Sequence, residues 1–145
     1  MTAETLRMEG KGALLHLVLA RPQLHNAISR QMLEDLLDAC LEIERRGPRV
    51  VILRGEGHSF SSGADLKEGL THGGGTAAIQ GRSQLGARVV RALGELSAIT
   101  VAAMKGHAIG GGACLAMACD FRVGAQGATV SIREGSLGLS LSWQS

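Results

Sequence analysis

Hydrophobic residues in this chain gather into short runs that are apolar at almost every position. Residues 13–19 (ALLHLVL), 50–53 (VVIL) and 99–104 (ITVAAM) are such runs. Runs of this length without polar alternation are typical of strands that are buried on both faces. Residues 5–8 form a weaker strand candidate, and the glycines within residues 10–12 predict a turn between it and the next strand.

Between these runs the apolar spacing becomes helical. A first helix is predicted to begin after Ser29, a good N-cap residue, and to stop at Gly47-Pro48. Its apolar face consists of Met32, Leu33, Leu36, Leu37, Cys40 and Ile43. A second helix follows over residues 79–96, crossed by three glycines, and residues 113–119 predict a short, wholly apolar and therefore buried helix.

Two further short strands are predicted at residues 121–123 and 129–132. The alternation of strands and helices favours an α/β layered fold. The 145 residues suffice for one domain with its own core, so residues 1–145 are expected to form a single unit.

Charge and cysteine content exclude several classes of protein. The net charge of +2 is spread along the chain, which argues against a nucleic-acid surface. No apolar run is long enough to span a membrane, and the N-terminal residues lack a signal pattern, so a cytoplasmic protein is expected. The three cysteines form no CxxC pair and the histidines no metal spacing, so we expect buried thiols and no metal site.

The loop at residues 106–112 (GHAIGGG) lies between a predicted strand and a predicted helix. The first turn of a helix leaves backbone N–H groups unpaired, and the helix dipole favours negative charge there. Neither the phosphate-loop pattern GxxxxGK[ST] nor the dinucleotide pattern GxGxxG fits. The glycines therefore indicate either an anion-binding loop or only close packing between helix and strand.

Residues 55–76 form a second long loop, which contains Ser61-Ser62-Gly63-Ala64-Asp65-Leu66-Lys67. Alone, Gly63 to Asp65 is typical of a surface turn, with Asp65 capping a helix. Two strand-exit loops that each end at a helix start can, however, direct two backbone N–H groups at one point, which is the geometry of an oxyanion hole.

Four segments, in this order, carry a resemblance to a known family: residues 21–27 (RPQLHNA), 60–66 (FSSGADL), 106–112 (GHAIGGG) and Cys119-Asp120. Together they resemble the crotonase superfamily, the enoyl-CoA hydratase/isomerase family, in its N-terminal part. The resemblance implies a crotonase-like ββα spiral superhelix whose C-terminal helical part is absent from this chain. It also implies an acyl-CoA thioester as substrate, with coenzyme A as part of that substrate and no separate cofactor.

The resemblance also implies roles for individual residues. The N–H groups of Ala64 and Gly111 would bind the thioester carbonyl oxygen, and Ala64, Asp65, Leu66 and Lys67 would lie along coenzyme A, with residues 21–27 nearby. Hydratases of this family carry two glutamates. The second matches Glu134, whereas the first position is occupied by Cys114.

One glutamate can carry a proton between two carbons, as an isomerase needs, but it lacks the partner that helps to orient water for hydration. We therefore expect an acyl-CoA-processing enzyme of the hydratase/isomerase type with Glu134 as proton carrier. A thiol nucleophile at Cys114 is a weaker alternative to a buried structural cysteine.

The resemblance stops within the motif that follows Glu134, so a fragment or a truncated product is expected. A catalytically impaired or truncated acyl-CoA-binding or assembly subunit is the alternative function. The resemblance implies a homotrimer or a dimer of trimers for a complete chain, and no nucleic-acid or membrane partner is expected. The acyl group and the reaction stay open.

Overall fold

The chain forms a five-stranded sheet with helices packed against it. In this computed structural model, residues 4–71, 75–133 and 143 are described. The sheet contains β1 (Leu6–Lys11), β2 (Leu14–Leu19), β3 (Val50–Gly55), β4 (Ile99–Met104) and β6 (Phe121–Gly124), in the spatial order β1-β2-β3-β4-β6. The β1–β2 pair is antiparallel and the remaining pairs are parallel.

Within the described ranges, four α-helices lie between the strands: α1 (Arg30–Arg46), α2 (Leu66–Thr71), α3 (Thr76–Gly94) and α4 (Gly111–Ala118). Helix α1 begins where predicted, because the Ser29 hydroxyl accepts a hydrogen bond from the Met32 amide at 3.1 Å. It ends at Gly47, whose φ of 62° is the left-handed conformation that stops a helix. The predicted α/β class is confirmed.

Three details of the sequence interpretation are wrong. The turn predicted at residues 10–12 begins later, because Gly10 and Lys11 continue β1 in register with Leu15 and Leu14 of β2. The loop predicted at residues 106–112 contains a strand, β5 (His107–Ile109), which pairs in parallel with β7 (Thr129–Ser131) as a second, two-stranded sheet. Similarly, the loop predicted at residues 55–76 contains α2.

The core lies between the sheet and helices α1, α3 and α4. Its aliphatic character follows from the near absence of aromatic residues, with Phe60 as the largest fully buried side chain. Helix α4 is buried from Gly111 to Ala116, as its apolar sequence predicts, although Met117 is exposed.

Asp120 ties the end of α4 to the sheet. Its Oδ2 atom accepts hydrogen bonds from the backbone N–H of Thr100 at 2.8 Å and from its hydroxyl at 2.9 Å. The Thr100 hydroxyl oxygen in turn accepts the Asp120 amide at 2.9 Å. Asp120 therefore fixes the chain between α4 and β6 by pairing with the start of β4.

The parallel strands β2, β3 and β4 end at one edge of the sheet, because Leu19 is aligned with Gly55 and Arg54 with Ala103. The segments that follow them, residues 20–29, 56–65 and 105–111, therefore meet at this edge. In open parallel sheets, ligands bind outside the carboxyl ends of the strands. This edge carries three of the four segments that the sequence singled out.

Within the described ranges, no helix is long and apolar enough to cross a membrane. The same ranges contain no group of three or more His, Cys, Asp or Glu side chains that could hold a metal ion.

Candidate functional site

Asn26 connects the segments that follow β2 and β3. Its side chain is fully buried, and its Nδ2 atom donates to the carbonyl oxygens of Glu56 and Ser59, each at 2.9 Å. Its Oδ1 atom accepts the Arg21 amide at 2.9 Å. Because a buried amide side chain is costly without partners, these bonds fix the path of both segments. The left-handed φ of 55° at Asn26 is one that asparagine tolerates.

Ser61 connects all three segments. Its hydroxyl donates to the Asn26 carbonyl oxygen at 2.8 Å and accepts the Gly63 amide at 3.2 Å. Its backbone pairs with β5. The Ser61 N–H donates to the His107 carbonyl oxygen at 2.9 Å, and the Ile109 N–H donates to the Ser61 carbonyl oxygen at 3.0 Å. The segments after β2, β3 and β4 thus form one hydrogen-bonded unit.

Gly63 brings the loop after β3 into direct contact with the start of α4. A Cβ atom placed on Gly63 would lie 2.6 Å from the carbonyl oxygen of Ile109 and 3.6 Å from the backbone nitrogen of Gly111. The first distance is shorter than any real Cβ contact, and the φ of 86° at Gly63 also disfavours a side chain. Only glycine permits this approach.

The backbone N–H of Ala64 points away from Ile28, with which Ala64 forms an isolated β-bridge. The Ile28 N–H donates to the Gly63 carbonyl at 2.8 Å, and the Asp65 N–H donates to the Ile28 carbonyl at 3.0 Å. These bonds use the peptide groups on either side of Ala64 and direct its own N–H to the opposite side. Among the described residues this N–H has no acceptor, and Ala64 is exposed.

Gly111 is the first residue of α4, so its N–H has no acceptor within the helix. The amide before it, that of Gly110, donates to the Ser131 carbonyl of β7 at 2.8 Å, and the Gly110 carbonyl accepts the Cys114 amide at 3.0 Å. No described residue accepts from Gly111. The two loops in contact therefore present two N–H groups that are without a protein partner in the described part of the chain.

Asp65 holds the start of α2 and the loop after β2 together. Its Oδ1 atom accepts the Glu68 amide at 3.4 Å, as a capping residue does, and its Oδ2 atom pairs with the Arg21 guanidinium at 3.1 Å. Burial tends to raise the pKa of Asp65, but the Arg21 hydrogen bond, backbone amides and the Arg21 charge outweigh it and lower the pKa. The carboxylate is therefore ionised at neutral pH.

Leu66 and Lys67, which follow Asp65, are both exposed at the start of α2. On α3, Arg82 contacts this segment from the other side. It donates to the Asp65 carbonyl at 3.2 Å and forms an ion pair with Glu68 at 2.8 Å. The first turn of α2 is thus held by arginines from two different segments.

Of the two positions considered for acid/base chemistry, Cys114 and Glu134, the structure describes only Cys114. The Cys114 side chain is only 2% exposed in the interior of α4. Cys40 and Cys119 are also buried, and burial raises their pKa values to about 12 and about 11, so both thiols are protonated at neutral pH. Glu134 lies outside the described residues.

Sequence reasoning missed the residues that assemble the site through side-chain bonds. Asn26 and Ser61 lie inside two of the segments that carry the family resemblance, residues 21–27 and 60–66, but neither of them was assigned a role. Arg82 was assigned only to a helix, and Trp143 only to an unfinished end of the chain. No local signal sets Asn26 and Ser61 apart, because each stands among other polar residues in its segment.

Comparison with known proteins identifies this architecture. The family model for enoyl-CoA hydratase/isomerase matches residues 9–143. The chain belongs to the enoyl-CoA hydratase/isomerase family, within the crotonase superfamily. The crystal structure of an enoyl-CoA hydratase/isomerase from Marinobacter aquaeolei superimposes with a TM-score of 0.90 at 27% identity, covering 97% of this chain and 56% of that one. The expected crotonase-type fold is confirmed.

Curated relatives of this family member carry different names. An enoyl-CoA isomerase/hydratase of Mycosarcoma maydis is 39% identical over 131 residues, which is 77% of this chain and 43% of the relative. The 4-chlorobenzoyl coenzyme A dehalogenase-2 of an Arthrobacter species is 35% identical over 125 residues, 83% of this chain and 45% of the relative. The chain thus spans about half the length of the relatives it matches.

Proposed function

We propose that the chain binds an acyl-CoA thioester and stabilises its enolate with the backbone N–H groups of Ala64 and Gly111. The observation that supports this most is the contact between their two loops at Gly63, which leaves both N–H groups without acceptors in the described part of the chain. An enolate places negative charge on the former carbonyl oxygen. Two preorganised donors stabilise that charge more than they stabilise the neutral carbonyl.

The backbone from Ala64 to Lys67 supplies the adjoining surface for coenzyme A in this proposal. Asp65 contributes to this surface by holding the segment in place, because its carboxylate binds Arg21 and the backbone amide of Glu68 in the first turn of α2. Leu66 and Lys67 are exposed on the surface of this segment. No separate cofactor is part of the proposed reaction.

Glu134 is proposed as the proton carrier. In 3-enoyl-CoA isomerisation, its carboxylate would take a proton from C2, the electrons would move onto the thioester oxygen as an enolate, and the proton would return at C4. Hydration is less favoured, because Cys114 stands where the hydratases place a first glutamate and its side chain is buried. A thiol orients water poorly compared with a carboxylate.

The test is to measure 3-enoyl-CoA isomerisation and crotonyl-CoA hydration by the chain and by three variants. Ala64→Pro removes the proposed donor at a position whose N–H has no acceptor among the described residues, and Ala64→Ser keeps it. We expect isomerisation to exceed hydration, and Ala64→Pro to lower kcat by roughly 10²–10³-fold while Ala64→Ser changes it little. Glu134→Gln should abolish isomerisation, and unchanged turnover in both Ala64→Pro and Glu134→Gln would refute the proposal.

A second candidate function is acyl-CoA binding without turnover, as a binding or assembly subunit. The observation in its favour is the buried Cys114 at the position of the first family glutamate. Calorimetric titration with crotonyl-CoA distinguishes the two: saturable binding without either reaction supports the second candidate, and absence of binding rejects both.

A further inference from the structure

The indole of Trp143 lies between helix α3 and the first residue of α4. Trp143 is only 7% exposed. A Cβ atom placed on Gly86 of α3 would lie 2.1 Å from its Cε2 atom and 2.4 Å from its Nε1 atom. A Cβ atom placed on Gly111 would lie 2.7 Å from Cη2 and 2.8 Å from Cζ3. The ring therefore contacts Gly86 at its centre and Gly111 at its benzene edge.

Both contacts depend on glycine, because real Cβ atoms essentially never approach another atom closer than 3.0 Å. A glycine inside a helix is unfavourable relative to alanine, so Gly86 needs a reason to be there. Among the described residues outside its own helix backbone, Gly81 in the same helix has nothing within 4 Å of its Cβ position. The contrast indicates that Gly86, unlike Gly81, makes room for the indole.

We propose that Trp143 limits the size of the acyl group that the site accepts. This inference rests on the proposed function, in which the Gly111 N–H binds the thioester oxygen. The indole edge touches the same residue, so the acyl chain leaving the carbonyl carbon meets an apolar wall within a few bonds. A large, rigid ring at that place favours short acyl groups and excludes longer ones on steric grounds.

The proposal predicts a change in preference rather than a general loss of binding. With affinities measured by calorimetry for butyryl-CoA and octanoyl-CoA, Trp143→Ala should raise the octanoyl-to-butyryl affinity ratio by about tenfold or more. Trp143→Phe should have a smaller effect in the same direction. An unchanged ratio, or an equal gain for both ligands, would contradict size selection by this residue.

Gly86→Ala tests the same proposal by displacing the indole instead of removing it, and Gly81→Ala is its matched control. The added methyl group at residue 86 must push the indole towards Gly111, so the ratio should fall further in favour of butyryl-CoA. The same methyl group at residue 81 meets no other described part of the chain and should leave the ratio unchanged. Equal ratios in the two variants would overturn the proposal even if Trp143→Ala fails to fold.

The unmodified chain offers a third measurement, because Trp143 is its only tryptophan and it contains no tyrosine. Butyryl-CoA should change the tryptophan emission with the same midpoint as the calorimetric titration, whereas free coenzyme A, which lacks the acyl group, should not. Calorimetric binding without an emission change would reject the role of Trp143 and leave the proposed function standing. Absence of calorimetric binding would reject the proposed function, and this inference with it.

Discussion

The hydroxyl of Ser61 donates to the carbonyl oxygen of Asn26 at 2.8 Å and at the same time accepts the Gly63 amide at 3.2 Å. One fully buried hydroxyl thus joins two segments that are 35 residues apart and orients the turn that leads to Ala64. The positions of the proposed donors therefore depend on buried side chains that are not donors to the substrate in the proposal.

Removal of this hydroxyl should weaken both stability and ligand binding. We expect Ser61→Ala to lower the free energy of unfolding by about 1–3 kcal/mol, because the Asn26 carbonyl and the Gly63 amide lose their partner in a buried place. Ser62→Ala is the control: in the described part of the chain its hydroxyl makes a single 3.4 Å contact near the surface, so its effect should stay within about 0.5 kcal/mol. Chemical denaturation measures both, and equal effects would contradict the role given to Ser61.

A side chain at Gly63 should separate the two loops. Gly63→Ala combines an unfavourable positive φ with a contact of 2.6 Å to the Ile109 carbonyl oxygen. Gly127→Ala has a similar φ, 81° against 86°, but its Cβ atom would meet no described residue within 4 Å, so it isolates the cost of the backbone conformation, about 1–2 kcal/mol. Gly63→Ala should cost clearly more in thermal or urea unfolding and should weaken acyl-CoA binding; a cost no greater than that of Gly127→Ala would show that the loops are not in close contact.

The Arg21–Asp65 pair should make stability depend on acidic pH. The pKa of Asp65 is lower in the folded chain than its ordinary value of 3.8, so the stabilisation is present above that value and is lost as pH falls through the folded pKa. At pH 7, Asp65→Asn should be less stable than the unmodified chain by about 1–3 kcal/mol. Urea unfolding at pH 7, 4 and 3 should show this difference shrinking below pH 4, and a difference that stays constant would rule out the ion pair as its source.

The three cysteines should be unreactive in the folded chain. Cys40, Cys114 and Cys119 are each at most 4% exposed, and burial raises the pKa values of Cys40 and Cys119 to about 12 and about 11. A thiol reagent at pH 8 should label them slowly without denaturant and rapidly in urea. Rapid labelling of Cys114 in the folded chain, located by mass spectrometry, would instead favour the alternative of a reactive thiol there.

The raised thiol pKa values should also lower the stability of the fold at alkaline pH. A group whose pKa is raised on folding stabilises the fold below its unfolded pKa, near 9 for cysteine, and this contribution is lost as pH rises towards the folded pKa. Between pH 9 and about 11, each of Cys40 and Cys119 removes up to about 1.4 kcal/mol of stability per pH unit. Stability measured across this range should therefore fall, and Cys40→Ala should make the fall shallower.

The sequence predicted the regular elements well, because their signals are local. Continuous apolar runs marked β2, β3 and β4, and the cap at Ser29 and the stop at Gly47 marked α1 to within one residue. Strand β5 was missed because a three-residue strand in a glycine-rich loop exists only through its pairing with β7. The end of β1 was misplaced for the same reason: Gly10 and Lys11 extend because β2 pairs with them.

For the site, too, local motifs were informative and long-range contacts were not. The family resemblance implied the roles of Ala64 and Gly111, and the structure brings their loops into contact, while binding of the thioester by their N–H groups stays a prediction. The bonds from Asn26 to Ser59 and from Ser61 to Asn26 could not be predicted, because the partners are 33 and 35 residues apart along the chain and any short polar side chain suits a loop equally well. The contact of Trp143 with Gly86 and Gly111 likewise depends on how α3 and α4 pack.

The central claim is that the N–H groups of Ala64 and Gly111 bind the thioester carbonyl oxygen. The most direct measurement is the infrared difference spectrum of butyryl-CoA with a ¹³C-labelled thioester carbonyl, free and bound. Two hydrogen bonds in a site that excludes water should shift the carbonyl stretch of the bound ligand to lower frequency than in water, and Ala64→Ser should keep the shift while Ala64→Pro reduces it. A bound carbonyl that absorbs at the same frequency as in water, or a shift that Ala64→Pro leaves intact, would contradict the account.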